Sequence, residues 1–355
     1  PRAAAHGHTS AMSPDATRGL QRDDTPTLDD VRDAAARIAG IAHVTPVLRS
    51  RSLDALAGCQ LFFKAENLQR TGAFKFRGAA NAVFSLTPEQ AARGVVTQSS
   101  GNHGAAVALA CRLRGIACTV VVPGAAPRIK REAIARNGAR IVDCDVAQSA
   151  RNEATARVLA ETGGELVHPF NDARVIAGQG TATLELLHQA CRRGKARDAT
   201  PALDVVMAPL SGGGLMSGTA IAAKGIDARI LAIAAEPAGA RDGHDSLKSG
   251  TRITGRTAHT ISDGLRAELG PLTFSILRDH CDDVLLVDDA ETVAAMRLVW
   301  ERLKVVIEPS CAVPLAAVLK HRDRFAGLRV GLILSGGNVD LDALPGLLAL
   351  ASPHA

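Results

Sequence analysis

Thr71 to Ala79, TGAFKFRGA, is the stretch from which the rest of the chain can be read. It sets Lys75 between Phe74 and Phe76, among neighbours that are small, apolar or hydroxylated. An ammonium held among such groups loses hydration, and that loss disfavours its charged form. A neutral lysine amine is a nucleophile toward carbonyls, and Schiff bases are its characteristic chemistry. No other lysine lies in a comparable apolar run, so Lys75 is the expected reactive amine.

Outward from that lysine, short apolar segments alternate with helical ones. GVVTQSS, IACTVVVP, ARIVDC, DVVMAPL, ARILAIAAE and RVGLILS read as strands, with helices such as HGAAVALACRLRG between them. This alternation predicts an α/β fold with a parallel sheet buried on both faces. Ligands of such sheets bind at the carboxyl ends of the strands, and three strand-to-helix turns there are glycine-rich.

The first turn is Ser99-Ser100-Gly101-Asn102-His103-Gly104, where a following helix N-terminus suits a carboxylate. The second is Ser211-Gly212-Gly213-Gly214-Leu215, whose consecutive glycines form a backbone nest suited to a phosphate. The third is Ser335-Gly336-Gly337-Asn338. A dinucleotide-binding oxidoreductase is the rival for the second turn, because Glu236 ends the next strand where a ribose-binding acid would sit. No G-x-G-x-x-G register fits, however, and that reading leaves Lys75 unexplained.

Bulk properties narrow the classes further. The 355 residues are 46% hydrophobic and 22% charged, as in an ordinary globular protein long enough for two domains. We expect a larger domain from residues 27–87 and 175–355, and a smaller α/β domain, 88–174, inserted into it. Residues 1–26 read as a disordered leader. The net charge of +5 is scattered, without a basic block or aromatic stripe, which argues against nucleic acid. Nothing is apolar for long enough to span a membrane. Seven cysteines, odd in number and without a CxxC pair, fit buried thiols in a reducing cytoplasm.

The set TGAFKFRGA, SSGNHG, SGGGL and LSGGN, in this order, resembles the serine/threonine dehydratase and serine racemase family. HPFND, IAGQGT, ISDG and EPS extend the similarity from Thr27 to Leu347. The resemblance implies a pyridoxal 5'-phosphate enzyme of the tryptophan-synthase-β-like fold, fold type II. It implies that Lys75 carries the cofactor, that Phe74 packs beside its ring, and that Asn102 meets the ring hydroxyl. Ser211, Gly212, Gly213, Gly214 and Leu215 would hold the phosphate, although relatives often have glycine at the place of Ser211. Ser335 would face the pyridine nitrogen and Gly264 the opposite ring face. Ser99, Ser100, Gly101, Asn102 and His103 would take the substrate carboxylate, with Ser100 opposite Lys75 as an acid for racemisation.

Two carboxylates and a carbonyl, from Glu236, Asp242 and Ala240, are hard oxygen ligands suited to Mg²⁺ or Ca²⁺, and metal-binding members share this spacing. Arg151 aligns with an arginine of some relatives and is a candidate partner for a second substrate carboxylate. The implied activity is an ammonia-lyase that dehydrates a β-hydroxy amino acid such as serine, threonine, 3-hydroxyaspartate or phenylserine. Amino-acid racemisation is the alternative, and a homodimer the default assembly.

Overall fold

The protein is described from a computed structural model covering residues 25–99, 101–124, 126, 128–193 and 202–350. Most of the expected leader, and Ser100, lie outside the described residues. The described residues form ten strands: β1 Val47–Leu48, β2 Gln60–Lys64, β3 Val95–Gln98, β4 Cys118–Pro123, β5 Arg140–Cys144, β6 Glu165–Leu166, β7 Val205–Pro209, β8 Leu231–Pro237, β9 Asp283–Val287 and β10 Arg329–Ile333. They form a six-stranded sheet in the order β1-β2-β10-β7-β8-β9 and a four-stranded sheet in the order β5-β4-β3-β6. All pairings are parallel except β1 on β2.

The burial pattern follows from composition. β7 (VVMAP) and β4 (CTVVVP) are buried along their whole length, as strands covered on both faces must be. The smaller sheet draws its strands from residues 95–166, and the larger takes its own from 47–64 and 205–333. The expected boundary after residue 174 falls in the first turn of the helix Ala173–Arg193; the sequence pattern QGTATLELLHQACRRG puts its start six residues later, at Gln179.

That long helix ties the elements that matter for function. The helix Lys75–Phe84 meets it where a Cβ on Gly178 would lie 2.6 Å from the Gly78 Cα. The helix Gly214–Ile226 meets it where a Cβ on Gly218 would lie 2.4 Å from the Ile176 carbonyl oxygen. Only glycine permits both backbones to come this close.

Beneath Lys75 lies a buried charge cluster. Arg77, 0% exposed, donates through Nε and Nη2 to Glu66 at 2.7 and 2.8 Å and through Nη1 and Nη2 to Glu185 at 2.8 Å. Lys64 is also 0% exposed, but its amine is buried among polar partners. Its Nζ donates to Glu185 Oε2 at 2.6 Å, to the Thr45 carbonyl at 2.7 Å and to Gln189 Oε1 at 3.0 Å. Lys64 is therefore paired in its burial, whereas Lys75 is not.

Candidate active site

Lys75 opens the helix Lys75–Phe84, and the residues before it are strapped to the third glycine turn. The Phe74 amide donates to the Ser335 carbonyl at 2.9 Å, Ala73 bridges Gly336, and the Gly337 amide donates to the Gly72 carbonyl at 2.9 Å. Thr71 adopts φ 61°, a left-handed conformation that is uncommon for a residue with a side chain. Its carbonyl accepts from Asn338 Nδ2 at 2.8 Å.

The Lys75 side chain is half-buried. Nζ donates to the Pro169 carbonyl at 2.9 Å and sits 5.1 Å from the centre of the Phe74 ring. No carboxylate pairs with it among the described residues, and burial alone pulls its pKa down to about 8. At pH 7 such an amine is roughly one-tenth neutral, against well under one-thousandth for an ordinary lysine.

Pro169 belongs to the HPFND turn, which connects the lysine to the second glycine turn. His168 Nδ1 accepts from the Phe170 and Asn171 amides at 3.3 and 3.0 Å. Burial lowers its pKa to about 4, with nearby Lys75 acting in the same direction, so the ring is neutral. The Phe170 ring fills the space in front of Gly212, where a Cβ would lie 2.4 Å from it. Gly213, at φ 91°, caps the helix Gly214–Ile226, and the Gly212 carbonyl accepts from Thr273 Oγ1 at 2.7 Å. The Ser211 hydroxyl is exchanged with the backbone of Ala267 at 3.0 Å in both directions. This turn leaves the first N–H groups of a helix without intrahelical partners, as a phosphate cradle requires.

Ser335, 3% exposed, lies two residues past the end of β10, with Cys311 beside its hydroxyl. Asn102 opens the helix Asn102–Arg114 after the first glycine turn; its Nδ2 donates to Glu308 Oε1 at 3.0 Å and its Oδ1 accepts from Asn338 Nδ2 at 2.8 Å. The Gly264 amide donates to Ser310 Oγ at 3.1 Å, two residues from Glu308. Ser99 Oγ accepts from the Gly101 amide at 3.2 Å. His103 is buried with Nε2 3.3 Å from the Val167 carbonyl, and burial next to Lys75 holds its pKa well below the usual imidazole range. Phe74, Lys75, Asn102, Ser335 and the turn at Gly212 are thus linked through a few direct contacts.

Arg151 stands apart from these contacts. Its guanidinium donates to the Val146 carbonyl at 3.1 and 2.8 Å, closing the start of its own helix. Glu308, Asn338, Pro169 and Phe170 carry no assigned role in the sequence reading, although each lies inside a motif it quotes.

Glu236, at the end of β8, is 0% exposed and accepts from the Gly243 and His244 amides at 3.0 and 2.8 Å. Burial pushes its pKa up to about 8, and neighbouring Asp242 adds to the rise. Asp242, raised mainly by burial to about 6, accepts from the Leu269 amide at 3.3 Å. Leu269 Cδ2 in turn lies 2.8 Å from where a Cβ on Gly213 would be, so the acidic pocket backs onto the second glycine turn. Among the described residues no three His, Cys, Asp or Glu side chains are grouped to hold a metal. The third donor would be the Ala240 carbonyl, in the short turn Ala238–Ala240.

Residues 38–336 match the family of pyridoxal-phosphate dependent enzymes. The chain belongs to this family. It is 47% identical over 320 residues to a β-hydroxyaspartate dehydratase of Paracoccus denitrificans, covering 90% of this chain and 98% of that protein. It is 48% identical over 322 residues to a serine racemase of Oryza sativa subsp. indica, covering 89% of this chain and 92% of the relative. The solved structure of maize serine racemase superposes with a TM-score of 0.85 at 46% identity, covering 92% of this chain and 97% of that one. The α/β architecture is that of the fold type II members of the family. No helix among the described residues is long and apolar enough to cross a membrane.

Proposed function

We propose that this protein is an ammonia-lyase that removes water from a small β-hydroxy amino acid and releases a 2-oxo acid and ammonia. The observation that carries this reading is the half-buried Lys75 amine, pulled to about 8 and held by a carbonyl instead of a carboxylate. Pyridoxal phosphate, when bound, supplies an aldehyde for amines and a ring that holds the electron pair released at the substrate α-carbon.

In this reading Lys75 holds the cofactor between turnovers and, once displaced, takes the α-proton. Phe74 and Gly264 flank the ring, Asn102 meets its oxygen, and the backbone of Ser211 to Leu215 takes the phosphate. Ser335 faces the ring nitrogen as a neutral hydroxyl and cannot lend the charge that a carboxylate would. The turn from Ser99 to His103, Ser100 included, orients the substrate carboxylate. Its support is the helix N-terminus that follows, with Gly101 leaving the backbone open.

The Paracoccus relative, named for β-hydroxyaspartate, favours a substrate with a second carboxylate. Arg151 is the proposed partner for it, and would have to leave the Val146 carbonyl. We also propose a divalent cation, Mg²⁺ or Ca²⁺, on Glu236, Asp242 and the Ala240 carbonyl. Two buried carboxylates that hold protons toward neutral pH are a donor set a cation would relieve. A homodimer in a reducing cytoplasm, with the domain division 27–87 plus 175–355 against 88–174, completes the proposal.

The test is to load the purified protein with pyridoxal phosphate and supply L-serine, L-threonine and the 3-hydroxyaspartate stereoisomers. Ammonia and 2-oxo acid should form together from at least one. Chiral inversion without ammonia would instead establish the racemase reading, which the rice relative favours.

A further inference from the structure

The Asn102 amide is held from both ends, and the chemistry of its two holders fixes which way round it sits. Asn338 Nδ2 lies 2.8 Å from the Thr71 carbonyl oxygen and 2.8 Å from Asn102 Oδ1. A peptide carbonyl only accepts, so the Asn338 nitrogen must face Thr71, and its two protons serve these two oxygens. Asn102 therefore turns its own oxygen toward Asn338. At its other end Asn102 Nδ2 meets Glu308 Oε1 at 3.0 Å, where it donates to the carboxylate oxygen. A reversed Asn102 would set oxygen against carboxylate and amino group against amino group. One N–H of Asn102 is left over, on a half-buried side chain at the start of a helix.

The holders are themselves held. Glu308 is 5% exposed; its amide donates to the Gly336 carbonyl at 3.1 Å, and Oε1 lies 2.5 Å from where a Cβ on Gly336 would be. Asn338 Oδ1 lies 2.5 Å from where a Cβ on Gly72 would be. Thr71 offers its carbonyl from a left-handed conformation, φ 61°. These residues come from three separate segments of the chain, and all of them constrain one amide.

We infer that Glu308 and Asn338 are positioning residues that make Asn102 a dedicated hydrogen-bond donor, matched to the ionised ring oxygen of pyridoxal phosphate. This rests on the proposal that Asn102 faces that oxygen. An amide free to turn would accept from a ring hydroxyl as readily as it donates to the ionised form. The locked amide favours the ionised form.

The test titrates cofactor-free protein with pyridoxal phosphate and follows the visible spectrum against pH, in wild type, N102A, N338D, E308Q and the double variant N102A/N338D. N338D replaces the donor facing Asn102 by an acceptor and should weaken cofactor binding about 10-fold. It should also move the spectral transition of the bound cofactor toward the protonated ring oxygen at a given pH. E308Q can still present an oxygen to Asn102 and should bind within about threefold of wild type. In the double variant N338D should add little to the loss from N102A, because its effect passes through that amide. The melting temperature of each cofactor-free variant controls for folding; should N338D fail to fold, N338A is run through the same cycle. Wild-type affinity and spectrum in N338D, a loss in E308Q as large as in N338D, or full additivity with N102A would each overturn the inference. Absence of a borohydride-reducible adduct on Lys75 in wild type would overturn the functional reading beneath it.

Discussion

Lys75 Nζ donates to the carbonyl oxygen of Pro169 at 2.9 Å, and this bond gives the amine a partner without giving it a counter-ion. A carbonyl accepts from an ammonium and from a neutral amine alike, and without a carboxylate's charge it holds the proton far less firmly. The neighbouring imidazoles supply no counter-ion either: burial, with Lys75 adding to it, holds His103 and His168 neutral. A reactive amine and two uncharged imidazoles are consequences of one desolvated corner.

Lys75→Ala should abolish turnover and the borohydride-reducible adduct, leaving the melting temperature of the cofactor-free protein unchanged or raised. Below pH 8 the wild type buries an ammonium whose folded pKa is depressed, an unfavourable contribution that fades as pH rises from about 8 toward 10.5. Calorimetry of cofactor-free protein at pH 7, with mass mapping of the reduced adduct, checks both halves. Near wild-type turnover in the variant would sink the assignment.

Glu236 provides the second pH dependence, of opposite sign. Its folded pKa is raised from 4.5 to about 8, so its contribution to stability is full below about pH 4.5 and is lost as pH rises through 8. Metal-free protein should therefore melt lower at pH 8.5 than at pH 6, and Glu236→Gln should flatten that slope. Magnesium or calcium, which needs the ionised carboxylate, should restore the melting temperature increasingly above pH 7. No response to a strong chelator or to added cation, with elemental analysis finding none bound, would leave Glu236 and Asp242 as buried carboxylates with no metal role.

Arg77→Met should cost about 3–5 kcal/mol, because it strips Glu66 of its buried guanidinium and leaves an uncompensated charge. Denaturant unfolding measures this directly. A loss below 1 kcal/mol would mean that Lys64 and Thr45 neutralise Glu66 unaided.

Gly212→Ala should drive a methyl group into the Phe170 ring, 2.4 Å from the Cβ position. We expect about 1–3 kcal/mol of destabilisation from overpacking and a larger proportional loss of cofactor affinity. The combination Gly212→Ala with Phe170→Ala should recover part of both, since the obstructing ring is then gone. Fluorescence titration with pyridoxal phosphate gives the affinity.

Ser100→Ala should separate dehydration from racemisation. Racemisation needs an acid on the face opposite Lys75, whereas elimination from an L-substrate needs only the lysine base. L-to-D conversion should vanish while L-dehydration survives, reduced ~10–100-fold through disturbed carboxylate binding. Equal loss of both, measured by chiral chromatography and ammonia release, would make Ser100 a substrate-positioning residue.

What could be read from the sequence had its cause within a few residues. Lys75 declares itself through Phe74 and Phe76, and the three turns through runs of glycine after apolar strands. The burial of Lys64 had no such local sign, because its counter-ion, Glu185, is 121 residues away. Glu308 carried no local sign of its contact with Asn102, 206 residues earlier, and a lone acid beside a proline signals nothing. β1 was missed for a related reason: two residues are too few for periodicity, and only antiparallel pairing with β2 makes them a strand. The helix Ala173–Arg193 began earlier than expected because its first turn, ARVIAG, looked like the loop that ends HPFND.

The glycine contacts of that long helix have a consequence for how the protein could be altered. Lys75 and the turn from Ser211 ride on helices seated directly against it, backbone to backbone, so their spacing is set by van der Waals contact between main chains, with little side-chain adjustment available. The turn from Ser99 hangs instead from β3, in the other sheet. Substitutions among residues 95–166 can therefore reshape the pocket for a new side chain while the spacing between Lys75 and the Ser211 turn stays fixed. In the proposed reading, selectivity is adjustable from one sheet, while the lysine and phosphate attachments of the cofactor are kept on the other.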